Sequence, residues 1–275
     1  MLEFSSDLAL WQITILSLVS LVVGLLGGFV GLALGTMRLP GILLTGLNPQ
    51  VAAGTNILVS ALAALSGGYR HLRERRVDWS VVLWLGVPSV VGAFVGGLFS
   101  GEVPASLLIS LVGILVLWQG VEFLGLRRRL LGQSQTKGLV SPAVDNPHSY
   151  RAEKTTVGAF GLSIGLLGGA VGLILGSLRL PLMIRIMRMD PRKAAGSNLI
   201  IGASLGLFGF AGHGIRGEVD LPLLLSMGLA GMVGSYVGAR YTGRVSISSL
   251  MLVLSWVLAI VGVILVGQGI LEALD

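Results

Sequence analysis

Six stretches of this chain run on apolar residues for about the thickness of a membrane: 8–34, 79–99, 105–121, 155–178, 221–239 and 247–271. A helix of roughly 20 apolar residues spans the hydrocarbon core of a bilayer. Hydrophobic residues make up 53% of the chain and charged ones only 12%, against about 25% in soluble domains. Too few polar side chains remain to cover a globular surface in water. The sequence therefore predicts an all-α integral membrane protein with several crossings. The N-terminal "MLEFSSDLAL" is acidic and lacks a small-residue cleavage site, so the first helix is expected to stay.

The chain contains two copies of one unit. "GLLGGFVGLALGTMRLP" (Gly24 to Pro40) aligns without a gap on "GLLGGAVGLILGSLRLP" (Gly165 to Pro181). "AAGTNILVSA" (Ala52 to Ala61) then aligns on "AAGSNLIIGA" (Ala194 to Ala203), and Val77-Asp78 on Val219-Asp220. The units are 1–124 and 155–275. The polar, basic segment 125–154 between them reads as a cytoplasmic linker.

Charge gives the orientation. "RHLRERR" (Arg70 to Arg76) is basic, while its counterpart "HGIRGEV" (His213 to Val219) is not. In the second unit the basic loops are "RIMRMDPRK" (Arg185 to Lys193) and "ARYTGRV" (Ala239 to Val245), and their first-unit counterparts are neutral or acidic. Basic loops stay on the cytoplasmic side. The units are thus expected to be inverted, each with an odd number of crossings. Three helices follow in each unit, near 49–69, 79–100 and 104–124, then 191–212, 221–240 and 246–271. Before them, a long and a short apolar segment meet at "GGFVGLALG" and "GGAVGLILG". Each pair reads as a broken, re-entrant hairpin shaped by Gly31, Gly35 and Pro40, or by Gly172, Gly176 and Pro181. Both termini then lie outside and the linker inside the plasma (inner) membrane. Inverted repeats with broken helices point to a secondary transporter whose substrate sits near the midplane.

Each hairpin carries an arginine in an apolar setting, Arg38 and Arg179. A charge at that depth is costly and faces a cavity or a partner. The one acidic residue inside an expected span, Glu122, lies near a helix end and reads as interfacial. Two arginines without carboxylates suit a small anion, because guanidinium donates fork-shaped hydrogen bonds to oxyanions. Snorkelling of both side chains to the interface is the plainer alternative. Thr55-Asn56 and Ser197-Asn198 place a hydroxyl and an amide at matching positions in both units. They read as substrate ligands or as interhelical hydrogen bonds. Asp78 and Asp220 precede apolar runs and read as N-caps. His71 and His148 read as loop residues. So does His213, the histidine that could titrate along a transport path.

The chain has no cysteine, which excludes disulfides and thiolate sites. It has no HExxH, GxxxxGK or GxSxG motif, and no paired carboxylates within the spans. These absences argue against an enzyme, a metal or other cofactor, an intramembrane protease and a carboxylate proton pump. The net charge of +6 sits in short clusters between spans, an orientation signal and not a nucleic-acid footprint.

As a set, these motifs resemble the TauE/SafE family of membrane permeases, often called sulfite exporters. The resemblance rests on the Gly-rich stretch leading to Pro40 and Pro181, on "NPQVAAGTN" and "DPRKAAGSN", and on "SGGYRHLRERRVDW". It covers nearly the whole chain and implies a permease for small sulfur-containing or carboxylated anions. Two departures fall at the expected substrate region. The family's central glycines read "GLALG" and "GLILG" here, and Arg38 and Arg179 replace a residue that is usually aliphatic. Both changes suit an anion held by side chains. The partners implied are the lipid bilayer and a small anion. Proton or sodium coupling and a homo-oligomer stay open, as do a passive anion channel and a membrane scaffold.

Overall fold

A computed structural model describes residues 6–133, 150–240 and 248–274. These residues form ten helices and no strand. They are α1 (Leu10–Val30), α2 (Gly35–Leu43), α3 (Pro49–Arg73), α4 (Trp79–Leu98) and α5 (Ala105–Gln133). The second series is α6 (Tyr150–Val171), α7 (Gly176–Pro181), α8 (Pro191–Ile215), α9 (Leu221–Arg240) and α10 (Ser248–Leu274). Among the described residues seven helices are long and apolar enough to cross a membrane. The expected linker is helical at both edges, and its remainder, 134–149 with His148, lies outside the described residues. So do 241–247 of the second unit's basic loop.

Local chemistry fixes the helix starts. Asn48 accepts amide hydrogens from Gln50 and Val51 ahead of α3, and Asp190 accepts from Arg192 and Lys193 ahead of α8. Proline follows each cap, where its missing N–H costs nothing. Asp78 caps α4 through the Ser80 and Val81 amides, and Asp220 accepts the Leu223 amide at α9, both as expected from sequence. The helix breaks repeat as closely. α1 ends at Gly31 (φ 78°) with the Leu32 amide on the Gly27 carbonyl, and α6 at Gly172 (φ 72°) with the Leu173 amide on Gly168. A left-handed residue closed by this bond is a glycine C-cap.

The two series trade partners. α1 packs along α9 and α6 along α4, while α3 pairs with α8 and α5 with α10. Glycines let the exchanged pairs meet backbone to backbone. A Cβ on Gly24 or Gly28 would strike the carbonyl of Gly231 or Ser235, and one on Gly165 or Gly169 that of Ser89 or Ala93. At the centre, Gly54 near the start of α3 abuts the Glu218 carbonyl after α8, and Gly196 near the start of α8 abuts the Arg76 carbonyl after α3. α3 and α8 therefore run antiparallel. They are the most buried spans, at 72% and 61%, against 28% for α1 and 22% for α10. The outer face of α1 instead presents Leu10, Trp11, Ile15, Leu18, Val22 and Leu25 outward. An apolar exterior around a polar interior suits lipid as the solvent.

Both helix ends run past the expected boundaries. α3 continues to Arg73 and α8 to Ile215, so His71 and His213 are helical and buried, not loop residues. A cationic last turn is compatible with helix because the C-terminal dipole favours positive charge.

Candidate functional site

Each broken hairpin packs its tip on the other series' central helix. Gly31 meets Ala195 of α8, and Gly172 meets the backbone of Ala53 of α3. The short helices α2 and α7 start just beyond and carry the two arginines inward. Leu32, Leu34, Leu173 and Leu175 bury the connecting segments. Pro40 lies inside α2, and Pro181 ends α7 where the chain enters a π-turn, Leu182–Ile186. Arg38 is 1% exposed and Arg179 fully buried, which rules out snorkelling through this fold to its surface.

Asn56 sits at the crossing of the two hairpins. Its Nδ2 donates to the Gly35 carbonyl at 3.2 Å and to the Gly172 carbonyl at 2.9 Å, one from each hairpin. Arg38 donates from Nη1 to Ser60 Oγ at 3.0 Å, one helical turn further along α3. Arg179 donates from Nε to Asn198 Oδ1 at 3.1 Å. Among the described residues its buried Nη1 and Nη2 have no hydrogen-bond partner, nor do Arg38 Nε, Asn56 Oδ1, Asn198 Nδ2 and Thr36 Oγ1. Neither arginine enters an ion pair among the described residues. Guanidinium stays protonated, so two positive charges lie buried without a carboxylate. Burial of an unpaired ion costs several kcal/mol, and an oxyanion accepting those N–H groups would offset it.

Thr55 and Ser197 occupy matching places of another kind. Thr55 Oγ1 accepts the Asp220 amide hydrogen at 3.0 Å, and Ser197 Oγ accepts that of Asp78 at 2.8 Å. The hairpins thus set Arg38 against Ser60 of α3 and Arg179 against Asn198 of α8, with Asn56 bonded to both hairpins. Thr55 and Ser197 lie one residue earlier and tie those helices to the starts of α9 and α4. Gly35 and Gly176 complete the arrangement, because a Cβ at either would press on Ser60 and Asn56, or on Asn198.

Sequence reasoning overlooked Ser60. The signal was present: in "AAGTNILVSA" against "AAGSNLIIGA", Ser60 aligns with Gly202. That difference removes from Arg179 the hydroxyl that Arg38 has. The grouping of His213 with Ser100 and Glu218 was also missed, because Ser100 comes from the α4–α5 connection, far in sequence from the last turn of α8 and the connection after it.

Relatives of this chain carry the name of probable membrane transporter proteins. The chain is 25% identical to the probable membrane transporter protein YunE of Bacillus subtilis, over 93% of this chain and 98% of that one. It is 27% identical to YdhB of the same organism, over 84% and 89%. A probable membrane transporter protein of Haemophilus influenzae is 26% identical over 75% and 74%. No solved structure matches the chain. The sulfite exporter TauE/SafE profile matches residues 16–265, and the chain belongs to that family of membrane transporters.

Proposed function

We propose that this chain is a secondary transporter of small anions, with sulfur oxyanions and organosulfonates as the substrate class. Access alternates around the point where the two hairpins meet α3 and α8. Arg179 and Arg38 bind the anion, Asn56 and Asn198 orient it, and Thr55 and Ser197 hold the helices that frame it. The observation that carries this reading is the pair of buried, unpartnered Nη1 and Nη2 atoms of Arg179. Family membership supplies the sulfur class. The fit of a guanidinium fork to an oxyanion agrees with it.

In this reading the units 1–124 and 155–275 lie inverted in the plasma (inner) membrane, with 125–154 cytoplasmic and both termini outside. The antiparallel course of α3 and α8 supports inversion. A two-fold axis that exchanges two antiparallel crossing helices lies in the membrane plane. Ser6 Oγ donates to Asp220 Oδ2, which puts the N-terminal segment at the end of the molecule with the less basic loop, as the charge pattern requires.

The test is thermal stability of the purified protein against sulfite, sulfate, thiosulfate, taurine, sulfoacetate, oxalate and chloride. A ligand at a hundred times its Kd stabilises the folded state by ~2.7 kcal/mol. A selective rise in Tm that disappears in Arg179→Gln supports the site. A flat panel for well-folded protein removes it.

A further inference from the structure

At one end of α8 a second polar group is built around His213, which is fully buried. Its Nε2 lies 2.8 Å from the Gly169 carbonyl in the last turn of α6. Its Nδ1 lies 2.6 Å from Glu218 Oε2 and 3.2 Å from Ser100 Oγ. A carbonyl oxygen only accepts, so Nε2 carries a hydrogen. At 2.6 Å, Nδ1 and Oε2 need a second hydrogen between them, for otherwise two lone pairs face each other. The Ser100 hydroxyl cannot supply it to both. The pair therefore holds one proton more than a neutral imidazole beside a carboxylate, and its contact depends on that proton.

Charged groups lead from this pair to water. Arg216 Nε lies 3.2 Å from Glu218 Oε1, and Arg216 Nη2 lies 3.2 Å from Glu102 Oε1, whose side chain is 69% exposed. Asp220 is the remaining acid on the α8–α9 connection, and it is occupied by Ser6 and the Leu223 amide. The segments of α3, α4 and α6 that pack here contribute Gly54, Gly97 and Gly169 and no titratable side chain. Burial alone would raise the Glu218 carboxyl. Hydrogen bonds from His213 and Ser100, with the charges of His213 and Arg216, outweigh it and hold the group below the usual carboxylate range.

The other unit lacks this arrangement. The register that aligns Asp78 with Asp220 aligns His71 with His213 and Arg76 with Glu218. His71 is buried too, but its Nδ1 has no partner among the described residues. A proton can thus be held between imidazole and carboxylate at one end of the molecule, where the acid is present.

We propose that His213 and Glu218 form a proton-binding site that latches the α6–α7 hairpin to α8, coupling anion movement to a proton. Coupling rests on the transporter reading; the latch itself does not. Gly169 lies on the arm of the hairpin that leads to Gly172, and Arg179 lies on the other arm. α8 carries both His213 and Asn198. Loss of the shared proton removes the attraction between Nδ1 and Oε2. Glu218 then stays with Arg216, and the imidazole, facing the carboxylate with a lone pair, is held by its Nε2–H bond to Gly169 alone, which weakens the latch on the hairpin.

The chain has no cysteine, so a single Ala170→Cys reports on the hairpin beside Gly169. Its reaction with a membrane-impermeant maleimide is followed in lipid nanodiscs from about pH 5 to about pH 9, a range that brackets imidazole. Rates are divided by those of the same variant carrying His213→Gln, which cancels the intrinsic pH dependence of the thiol. The expected result is protection at low pH that is lost as pH rises. In Glu218→Gln the protection at low pH weakens, because the imidazole has no carboxylate with which to share the proton. A ratio that stays flat with pH overturns the latch, as does a Glu218→Gln profile that superimposes on the parent. Should His213→Gln not fold, Ala170→Cys alone is referenced to a free thiol peptide, with the same outcomes. A pH-dependent latch with no anion-dependent rise in Tm would retain the proton site and sink the transport reading. The reverse result would do the opposite.

Discussion

Arg38 and Arg179 occupy matching places in two copies of one unit, yet their surroundings differ. In the first unit Ser60 gives the guanidinium a hydroxyl, and Asn56 spends its amide hydrogens on the two hairpin carbonyls. In the second, Gly202 offers no side chain, and Asn198 turns its oxygen to Arg179 Nε. The terminal nitrogens of Arg179 are left unpartnered. At the ends of the central helices the second unit again differs, with Glu218 facing His213 where the first has Arg76 in register with it. Duplication supplies two equal sets of residues, and later substitutions act on each alone. Here they have left unpartnered buried donors on both sides, Arg38 Nε and Thr36 Oγ1 in the first unit, and the larger set, Arg179 Nη1 and Nη2 with Asn198 Nδ2, in the second. A ligand gains most where donors are buried and unpaired, because their desolvation is already complete. The first hairpin then frames the site and the second carries it.

The largest effect that sharpens this comparison is steric. Gly172 and Gly31 both sit at positive φ, where a Cβ costs about 1–3 kcal/mol. A Cβ at Gly172 would strike the backbone of Ala53, whereas one at Gly31 would meet chiefly the Ala195 side chain, at 2.6 Å. Three backbone atoms of Ala53 would be struck at Gly172, and only one atom of Ala195 that closely at Gly31. Gly172→Ala is therefore expected to cost roughly 3 kcal/mol or more, and clearly more than Gly31→Ala. Denaturant midpoints in a fixed detergent measure both, and equal losses would mean the two tips are seated alike.

Next comes the charge itself. Arg179→Gln should abolish the anion-dependent rise in Tm, and Arg38→Gln should only reduce it. A larger loss at Arg38 would reverse the roles of the two hairpins. A subtler version leaves both arginines in place. A Cβ at Gly202 would lie 3.5 Å from Arg179 Nη2 and 3.0 Å from an Ile174 methyl, so Gly202→Ser fits after a small shift. Its hydroxyl would give Arg179 the partner that Arg38 has, and the anion response should weaken without loss of fold. Ser60→Gly should do the converse and strengthen it. Unchanged responses in both would show that a neutral partner does not compete with the anion.

Much of this was legible in the sequence for physical reasons. A φ that only glycine tolerates, a capping aspartate and a run of apolar residues each leave a local mark. Gly31, Gly172, Asp78 and Asp220 accordingly do what their neighbours predict. The exchange of partners, α1 with α9 and α6 with α4, was not legible. Small residues say that a helix approaches another closely and do not say which one. His71 and His213 read as loop residues from sequence because charge begins beside them. A helix end tolerates that charge, and burial came from packing against the other unit. Thr55 and Ser197 show the same boundary. Their position suggested a ligand, and the structure gives each an amide hydrogen from the start of a helix in the opposite unit.

The smallest expected difference concerns the caps, where the units look most alike. Asp78 Oδ1 accepts the Ser80 and Val81 amides at 3.0 and 3.3 Å. Removing such a cap costs about 1 kcal/mol. Asp220 Oδ1 accepts the Leu223 amide at 2.9 Å, and its Oδ2 also accepts from Ser6. Each aspartate accepts two hydrogen bonds, so Asp220→Ala and Asp78→Ala should cost about the same, with the Ser6 bond supplying about 0.5–1.5 kcal/mol of the Asp220 value. Ser6→Ala should cost that share when made alone. The backbone bonds to Thr55 and Ser197 survive in every variant, so neither central helix is released. A Ser6→Ala protein as stable as the parent would show that the Ser6 tether adds nothing. The asymmetry of the molecule would then be confined to the arginines and histidines, where a ligand or a proton can use it.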